Sequence, residues 1–254
     1  MQEHEMIRQE HSNQVAILRL DRGVTNALNL EIISQLAENL QTARDSPEIS
    51  SIVLGSANEK FFSIGFDIPE LLGLSRKDFT AFYQTFNRTC IDLFTLPKPV
   101  IAAVTGHAIA GGCILALCCD YRYIAAGRKL MGLNEVKLGL PVPYPGDHIL
   151  RHLIGTRDAQ EITYTGDFYG PKELIRMGVV DRVLPLDQVV PKAIEKAREL
   201  GQLPSEAFRR IKKNRTDTIK GDILAHLPQK EQDFIDCWRS DTAHQLLKEA
   251  TTKF

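Results

Sequence analysis

The chain has 254 residues, 43% hydrophobic and 25% charged, a balance that excludes a disordered or fibrous protein. It is long enough to bury a sizeable core without disulfide or metal staples. With 31 Lys and Arg against 32 Asp and Glu, the formal net charge of −1 argues against a nucleic-acid partner, which would call for a basic excess or stripe.

The N-terminal stretch MQEHEMIRQEHSNQ is polar and acidic, unlike a signal or transit peptide. The first regular segment is Val15–Leu20, partly β-branched and bounded by polar residues, which predicts a strand. Residues 30–43 then place Ile32, Ile33, Leu36 and Leu40 at helical spacing, with Asn29 as the N-cap. A second strand is predicted over residues 51–55, and a helix over residues 77–95 with Phe79, Phe82, Phe86 and Ile91 on one face. Pro97 and Pro99 stop that helix. Val100–Val104 is continuously apolar, the mark of a strand covered on both faces of a mainly parallel sheet. A turn, residues 105–112, leads to a helix over residues 113–119 and a strand at Tyr121–Ala125. This strand–helix–strand rhythm predicts stacked α/β units. Beyond Pro171 the pattern is mostly helical, so a core domain over residues 1–190 and a C-terminal helical region over residues 191–254 are expected. No apolar run reaches the roughly 18 residues needed to span a bilayer, so no membrane partner is expected. The five cysteines (Cys90, Cys113, Cys118, Cys119, Cys237) lie in apolar runs without zinc-site spacing, which predicts buried reduced thiols and no metal site. A reducing, cytoplasmic setting follows as the expectation.

Two segments put glycine where a strand gives way to a turn or helix. In Phe61-Phe-Ser-Ile-Gly-Phe-Asp-Ile68, Gly65 permits a sharp turn with outward amides. In Gly106-His-Ala-Ile-Ala-Gly-Gly-Cys113, Gly111 and Gly112 open a buried helix whose unpaired N–H groups favour a developing anion. Taken alone, either is more often a packing feature. Two such amides converging on one point would form an oxyanion hole.

The order and spacing of these segments carry a resemblance. FFSIGFDI resembles the F-x-A-G-x-D-L segment of the crotonase (enoyl-CoA hydratase/isomerase) superfamily. PKPVIAAVTGHAIAGGCILALCCDYRYIAA resembles its P-K-P-x-I-A-A-V-x-G-x-A-x-G-G-G signature, and the likeness continues through GLNEVKLGL. The resemblance implies an α/β crotonase (ClpP-like) fold of repeated β-β-α units with a helical C-terminal region that serves trimerisation and pocket closure. It implies a homotrimer or dimer of trimers, an acyl-CoA thioester substrate, and no cofactor beyond the coenzyme A that the substrate carries. Carried over residue by residue, the oxyanion amides would be those of Phe66 and Gly111. Ser63, Ile64, Gly65, Phe66, Asp67 and Ile68 would line the coenzyme A site, which the loop at residues 24–29 also touches.

Family hydratases use two glutamates. The first of those positions is Ile114 here, which exchanges no proton; the second is Glu135, in Gly132-Leu-Asn-Glu135. One carboxylate suits allylic isomerisation of a 3-enoyl to a trans-2-enoyl thioester, with Glu135 as base and then acid and Asn134 beside it. Cys119-Asp-Tyr-Arg122 and Gly132-Leu-Asn-Glu135 resemble the 3,2-enoyl-CoA isomerase branch. The three prolines of Leu138-Gly-Leu-Pro-Val-Pro-Tyr-Pro-Gly146 depart from the hydratase pattern in the same direction. Hydration, or another crotonase-type lyase or decarboxylase reaction, is the alternative. His107 is expected to be a turn histidine, Asp67 and Asp120 caps or salt-bridge partners, and the Arg209–Lys213 cluster a solvated helix face. Phe234 and Trp238 read as oligomer or core packing, and Asp147 and His148 as residues near the pocket mouth.

Overall fold

The computed structural model describes residues 5–251. The chain begins with an antiparallel pair, β1 (Ile7–Ser12) and β2 (Val15–Leu20), followed by α1 (Leu30–Asp45). Three units then repeat one plan. In each, a strand joins a first sheet, a shorter strand joins a second sheet, and helical chain follows. The first unit is β3 (Ser51–Ser56), β4 (Phe61–Ser63), α2 (Ile68–Leu72) and α3 (Arg76–Phe94). The second is β5 (Val100–Val104), β6 (His107–Ile109) and α4 (Gly111–Leu117). The third is β7 (Tyr121–Ala125), β8 (Met131–Gly132), a 3₁₀ turn at Glu135–Leu138 and α5 (Tyr144–Thr165), which kinks at Gly155. β9 (Phe168–Tyr169), α6 (Pro171–Met177), β10 (Arg182–Leu184), α7 (Leu186–Gly201), α8 (Ser205–Trp238) and α9 (Asp241–Thr251) complete the chain.

The first sheet runs β1-β2-β3-β5-β7-β10 and is parallel from β2 onward. The second runs β4-β6-β8-β9, with only β9 antiparallel. This is the mixed α/β crotonase architecture of repeated β-β-α units with a helical C-terminal part.

Side-chain alternation explains why the strands of the first sheet read as unbroken apolar runs. In β5, Val100, Ala102 and Val104 face the main core, whereas Ile101 and Ala103 face a second cluster. β2 and β3 divide the same way, Leu18 and Leu54 on one side, Ile17 and Val53 on the other. α7 covers the second face with Val189, Ala193 and Ala197, small residues that let the helix approach closely. Residue 190 falls within this helix.

The predicted elements form close to where they were expected. Asn29 caps α1, its Oδ1 accepting from Ile32 N at 3.1 Å. Helix α4 starts two residues earlier than its apolar run, at Gly111. The stretch read as a turn holds the short strand β6, and the polar N-terminal stretch holds β1. Polar composition hid β1, an edge strand with only Ile7 buried. Strands of two or three residues hid the second sheet. Asp120 is the expected ion-pair partner, to the buried Lys212 at 2.7 Å, so the basic cluster on α8 is solvated apart from that one lysine. Arg122 is buried, donates to the Val179 and Cys119 carbonyls, and meets Asp181 at 3.3 Å. Cys90, Cys113, Cys118 and Cys119 are buried and free; Cys237 is free and half-buried.

Ala110 precedes α4 at φ 49° and ψ −122°, backbone that suits glycine. It is held there by Ala110 N donating to Gly132 O at 2.9 Å and by its carbonyl accepting from Ile114 N at 2.9 Å. Such strain costs about 1–3 kcal/mol, of which glycine's extra unfolded-state entropy would offset about 0.5–1 kcal/mol. Ala110→Gly is therefore expected to raise unfolding free energy by about 1 kcal/mol, measured by urea denaturation; a loss of stability would show that no strain is stored there.

Candidate active site

The site lies where the second sheet meets the helices. β4 and β6 run parallel, and the turns that follow them meet through backbone. A Cβ on Gly112 would fall 2.4 Å from Ser63 O, so no larger residue fits. A Cβ on Gly65, whose φ is +94°, would lie 3.0 Å from the Ala110 methyl and 3.1 Å from Gly111 N. One on Gly111 would touch the Phe66 ring at 3.1 Å. The two glycine turns are thus in van der Waals contact.

Their amides are oriented by what their neighbours bond. Leu28 N donates to Gly65 O at 2.8 Å and Asp67 N to Leu28 O at 2.9 Å, which leaves the intervening Phe66 N–H pointing the other way. Gly111 N–H belongs to the first turn of α4 and has no helical acceptor. Phe66 and Gly111 both line a cavity of ≈ 780 Å³.

Glu135 and Asn134 line the same cavity, brought in by β8 and the 3₁₀ turn behind it. Glu135 is 4% exposed, and neither carboxylate oxygen has a hydrogen-bond partner. Burial raises its pKa from 4.5 to about 8, against a small lowering by its own backbone amide. Burial, with Glu135 adding to it, also pushes the neighbouring Cys113 thiol far up, so this neighbour stays neutral. Asn134 Oδ1 is likewise buried and unpartnered. A partnerless buried carboxyl is rare in folded proteins.

Ile114 is fully buried but turned away. A Cβ on Gly146, in α5, would meet three Ile114 side-chain atoms between 2.7 and 2.9 Å, so Ile114 packs behind the cavity wall. Of the other carboxylates on the wall, Asp67 caps α2 and pairs with Arg22 at 2.6 Å, and Glu249 stands exposed on α9.

Not every residue expected to line the site does so. Ile64, Phe66, Asp67 and Ile68 face the cavity. Ser63 is a correction: it is fully buried, its hydroxyl donating to Asn26 O at 2.7 Å and accepting from Gly65 N at 3.1 Å, so it shapes the turn. Gly65 contributes through turn geometry. Thr25 and Ala27 of the early loop line the cavity, whereas Asn26 is buried, donating to Ser56 Oγ and Phe62 O. His107 is a half-buried rim residue whose Nδ1 accepts from Leu130 N, with its pKa lowered by burial and by Lys129 and Lys60. Asp147 pairs with Arg151, and His148 meets the Tyr144 ring; neither lines the cavity. Sequence reasoning gave pocket closure to the C-terminal region without singling out the residues of the far wall: Leu140 and Pro143, with Phe234, Trp238, Leu246 and Leu247 from the last two helices. Phe234 and Trp238 are core residues as well as cavity lining, and their i,i+4 spacing was the available signal.

Among the described residues, no group of three or more His, Cys, Asp or Glu is placed to hold a metal ion, and no helix is long and apolar enough to cross a membrane. Residues 10–254 match the Enoyl-CoA hydratase/isomerase family. The chain is 31% identical over 220 residues to enoyl-CoA delta isomerase 1, mitochondrial, of Mus musculus, covering 86% of this chain and 75% of that protein. It is 35% identical over 211 residues to a probable enoyl-CoA hydratase of Mycobacterium bovis, covering 82% and 80%. Among solved structures, human mitochondrial delta3-delta2-enoyl-CoA isomerase superposes with a TM-score of 0.94 over 98% of both chains at 25% identity. With a family match across nearly its whole length and the corresponding fold, the chain is an enzyme of the enoyl-CoA hydratase/isomerase (crotonase) family, acting on an acyl-CoA.

Proposed function

We propose that the enzyme converts 3-enoyl-CoA to trans-2-enoyl-CoA, with Glu135 as its single acid/base. The observation that carries this reading is the set of carboxylates on the cavity wall: Glu135 is buried and partnerless, while Ile114 packs against Gly146. Hydration needs one group to deliver water's oxygen and another to manage the proton, whereas an allylic shift needs one.

The step balances without a co-reactant. Ionised Glu135 takes a proton from C2, and the electron pair moves onto the thioester oxygen, giving a dienolate. The N–H groups of Phe66 and Gly111, two residues of the cavity wall, would hold that oxygen; each such donor contributes on the order of 3 kcal/mol to barrier lowering. Glu135, now protonated, returns the proton at C4, and the conjugated 2-enoyl thioester forms. A pKa near 8 suits one group for both halves, because it neither holds nor releases the proton too strongly. No redox partner or dissociable cofactor enters.

Hydration, or another crotonase-type lyase or decarboxylase reaction, is the second reading, favoured by the 35% identity to the mycobacterial hydratase. Incubation with 3-hexenoyl-CoA and, separately, 2-hexenoyl-CoA separates the two. Isomerase action gives conjugated thioester absorbance from the first and no 3-hydroxy product from the second; rapid water addition to the second overturns the proposal. Glu135→Gln is expected to lower kcat for isomerisation by about 10³-fold with KM little changed.

The pH profile follows from the raised pKa. Since the reaction begins from ionised Glu135, kcat/KM for 3-hexenoyl-CoA should climb with pH and level off above about 8. Stability moves the opposite way. Between pH 4.5 and about 8 the unfolded chain has lost this proton while the folded chain keeps it, so folding weakens as pH rises through that window. The stability difference between Glu135→Gln and wild type should therefore shift by ~3 kcal/mol in the variant's favour between pH 4 and pH 7. Urea denaturation at the two pH values measures it, and a constant difference would mean that the carboxyl is not desolvated.

A further inference from the structure

The cavity is polar at its exposed lip and apolar at its buried end. Arg22, Asp67, His107 and Lys137 stand at the lip. At the other extreme Phe234 is 1% exposed, Trp238 2% and Leu247 fully buried. Glu135 lies between these regions in character, buried yet ionisable. An acyl-CoA whose C2 and C4 reach Glu135 must leave its anionic coenzyme A portion toward the lip, so the hydrocarbon beyond C4 runs toward the aromatic end. That placement rests on the acyl-CoA reading of the site given above.

The aromatic end is closed by rings that are themselves backed by rings. Trp238 stacks on Phe79 at 4.5 Å and 22° between planes. Phe234 stacks on Tyr83 at 4.1 Å and 12°. Phe66 meets both Phe82 and Phe86 edge-on at 4.9 Å. Phe79, Phe82, Tyr83 and Phe86 all belong to α3 and are buried, and none of them lines the cavity. They form a second layer, so the first-layer rings have no room to swing aside. The α3–α8 seam is also fastened outside the rings, by Arg76 to Asp236 at 2.6 Å.

We propose that Trp238, with Phe234 beside it, is the stop that sets the longest acyl chain this enzyme accepts. A hydrocarbon tail growing toward the wall gains affinity with each methylene it buries, about fourfold per group. Once it meets a ring that cannot move, further methylenes must bend back or remain in water, and the gain ceases. Trp238 makes this the sharpest limit because it is the largest of these side chains and is stacked on its far face by Phe79.

The test is a binding series with saturated straight-chain acyl-CoAs from butanoyl to hexadecanoyl, measured by calorimetry on the full chain. Saturated thioesters undergo no isomerisation, so the result is independent of which reaction the enzyme performs. Wild type is expected to gain affinity steadily with length and then stop at a definite chain length. Trp238 is the chain's one tryptophan, so its fluorescence should respond to acyl-CoAs that reach that length and stay unchanged with coenzyme A alone. In Trp238→Ala the break should move to longer chains by at least two methylenes, raising affinity for the first chain past the wild-type limit about tenfold or more. Trp238→Phe, which keeps a ring in the layer and so protects the fold, should move it by less in the same direction. A break at the same length in wild type and both folded variants overturns the stop, as does a wild type with no break. If affinity fails to rise with acyl length at all, the acyl-CoA placement falls and the stop falls with it. Failure of 3-hexenoyl-CoA to isomerise, with the break moving as described, would overturn only the reaction proposed above.

Discussion

The arrangement depends on one contact, the meeting of two backbone turns with no side chain between them. Gly112 sits so close to Ser63 that a single added carbon would overlap it, and Gly65 rests against the Ala110 methyl and the Gly111 nitrogen. This close approach links the first two β-β-α units and brings the Phe66 and Gly111 turns to one cavity, to whose wall the third unit adds Glu135. That unit is tied in by the bond from Ala110 N to Gly132 O, three residues ahead of the carboxyl. Positioning these groups by main chain makes their geometry as rigid as the sheet they grow from, as the proposed stabilisation of a transient charge would require.

The carboxyl is placed at a thermodynamic cost. An ionisable group with no partner, surrounded by apolar walls, weakens the folded state at neutral pH, and the large core compensates. The strain at Ala110 is of the same kind. Both Ala110 and Glu135 line the cavity that Phe66 and Gly111 also line, where local rules give way if the proposed chemistry is done there.

Much of this was legible in the sequence because the strongest signals are short-range. The apolar run at Val100–Val104 could only be a doubly covered strand, and it divides its side chains between two cores as the alternation requires. Glu135 and the Phe66 and Gly111 turns were located from motif spacing, and the structure brings all three to one cavity. The second sheet was not legible, because strands such as Met131–Gly132 are too short to show a period. Ser63 was misplaced because a motif gives order along the chain but not the direction of a hydroxyl, here turned to Asn26. Phe234 and Trp238 were read as oligomer or core packing, since nothing local tells whether the space beside a ring is filled by protein or open to a guest.

The outermost strand has a consequence for how this molecule behaves in company. Among the described residues β1 is the outer strand of the first sheet, and of its six residues only Ile7 is buried. Arg8 reaches Asp21, and Glu10 is held by Arg19 of β2, so charge lies across the margin from both strands. A second chain approaching to add its own strand would have to strip water from those charges while finding no apolar surface in return. The polar composition that concealed β1 from sequence reading thus also guards the sheet edge against extension by another chain.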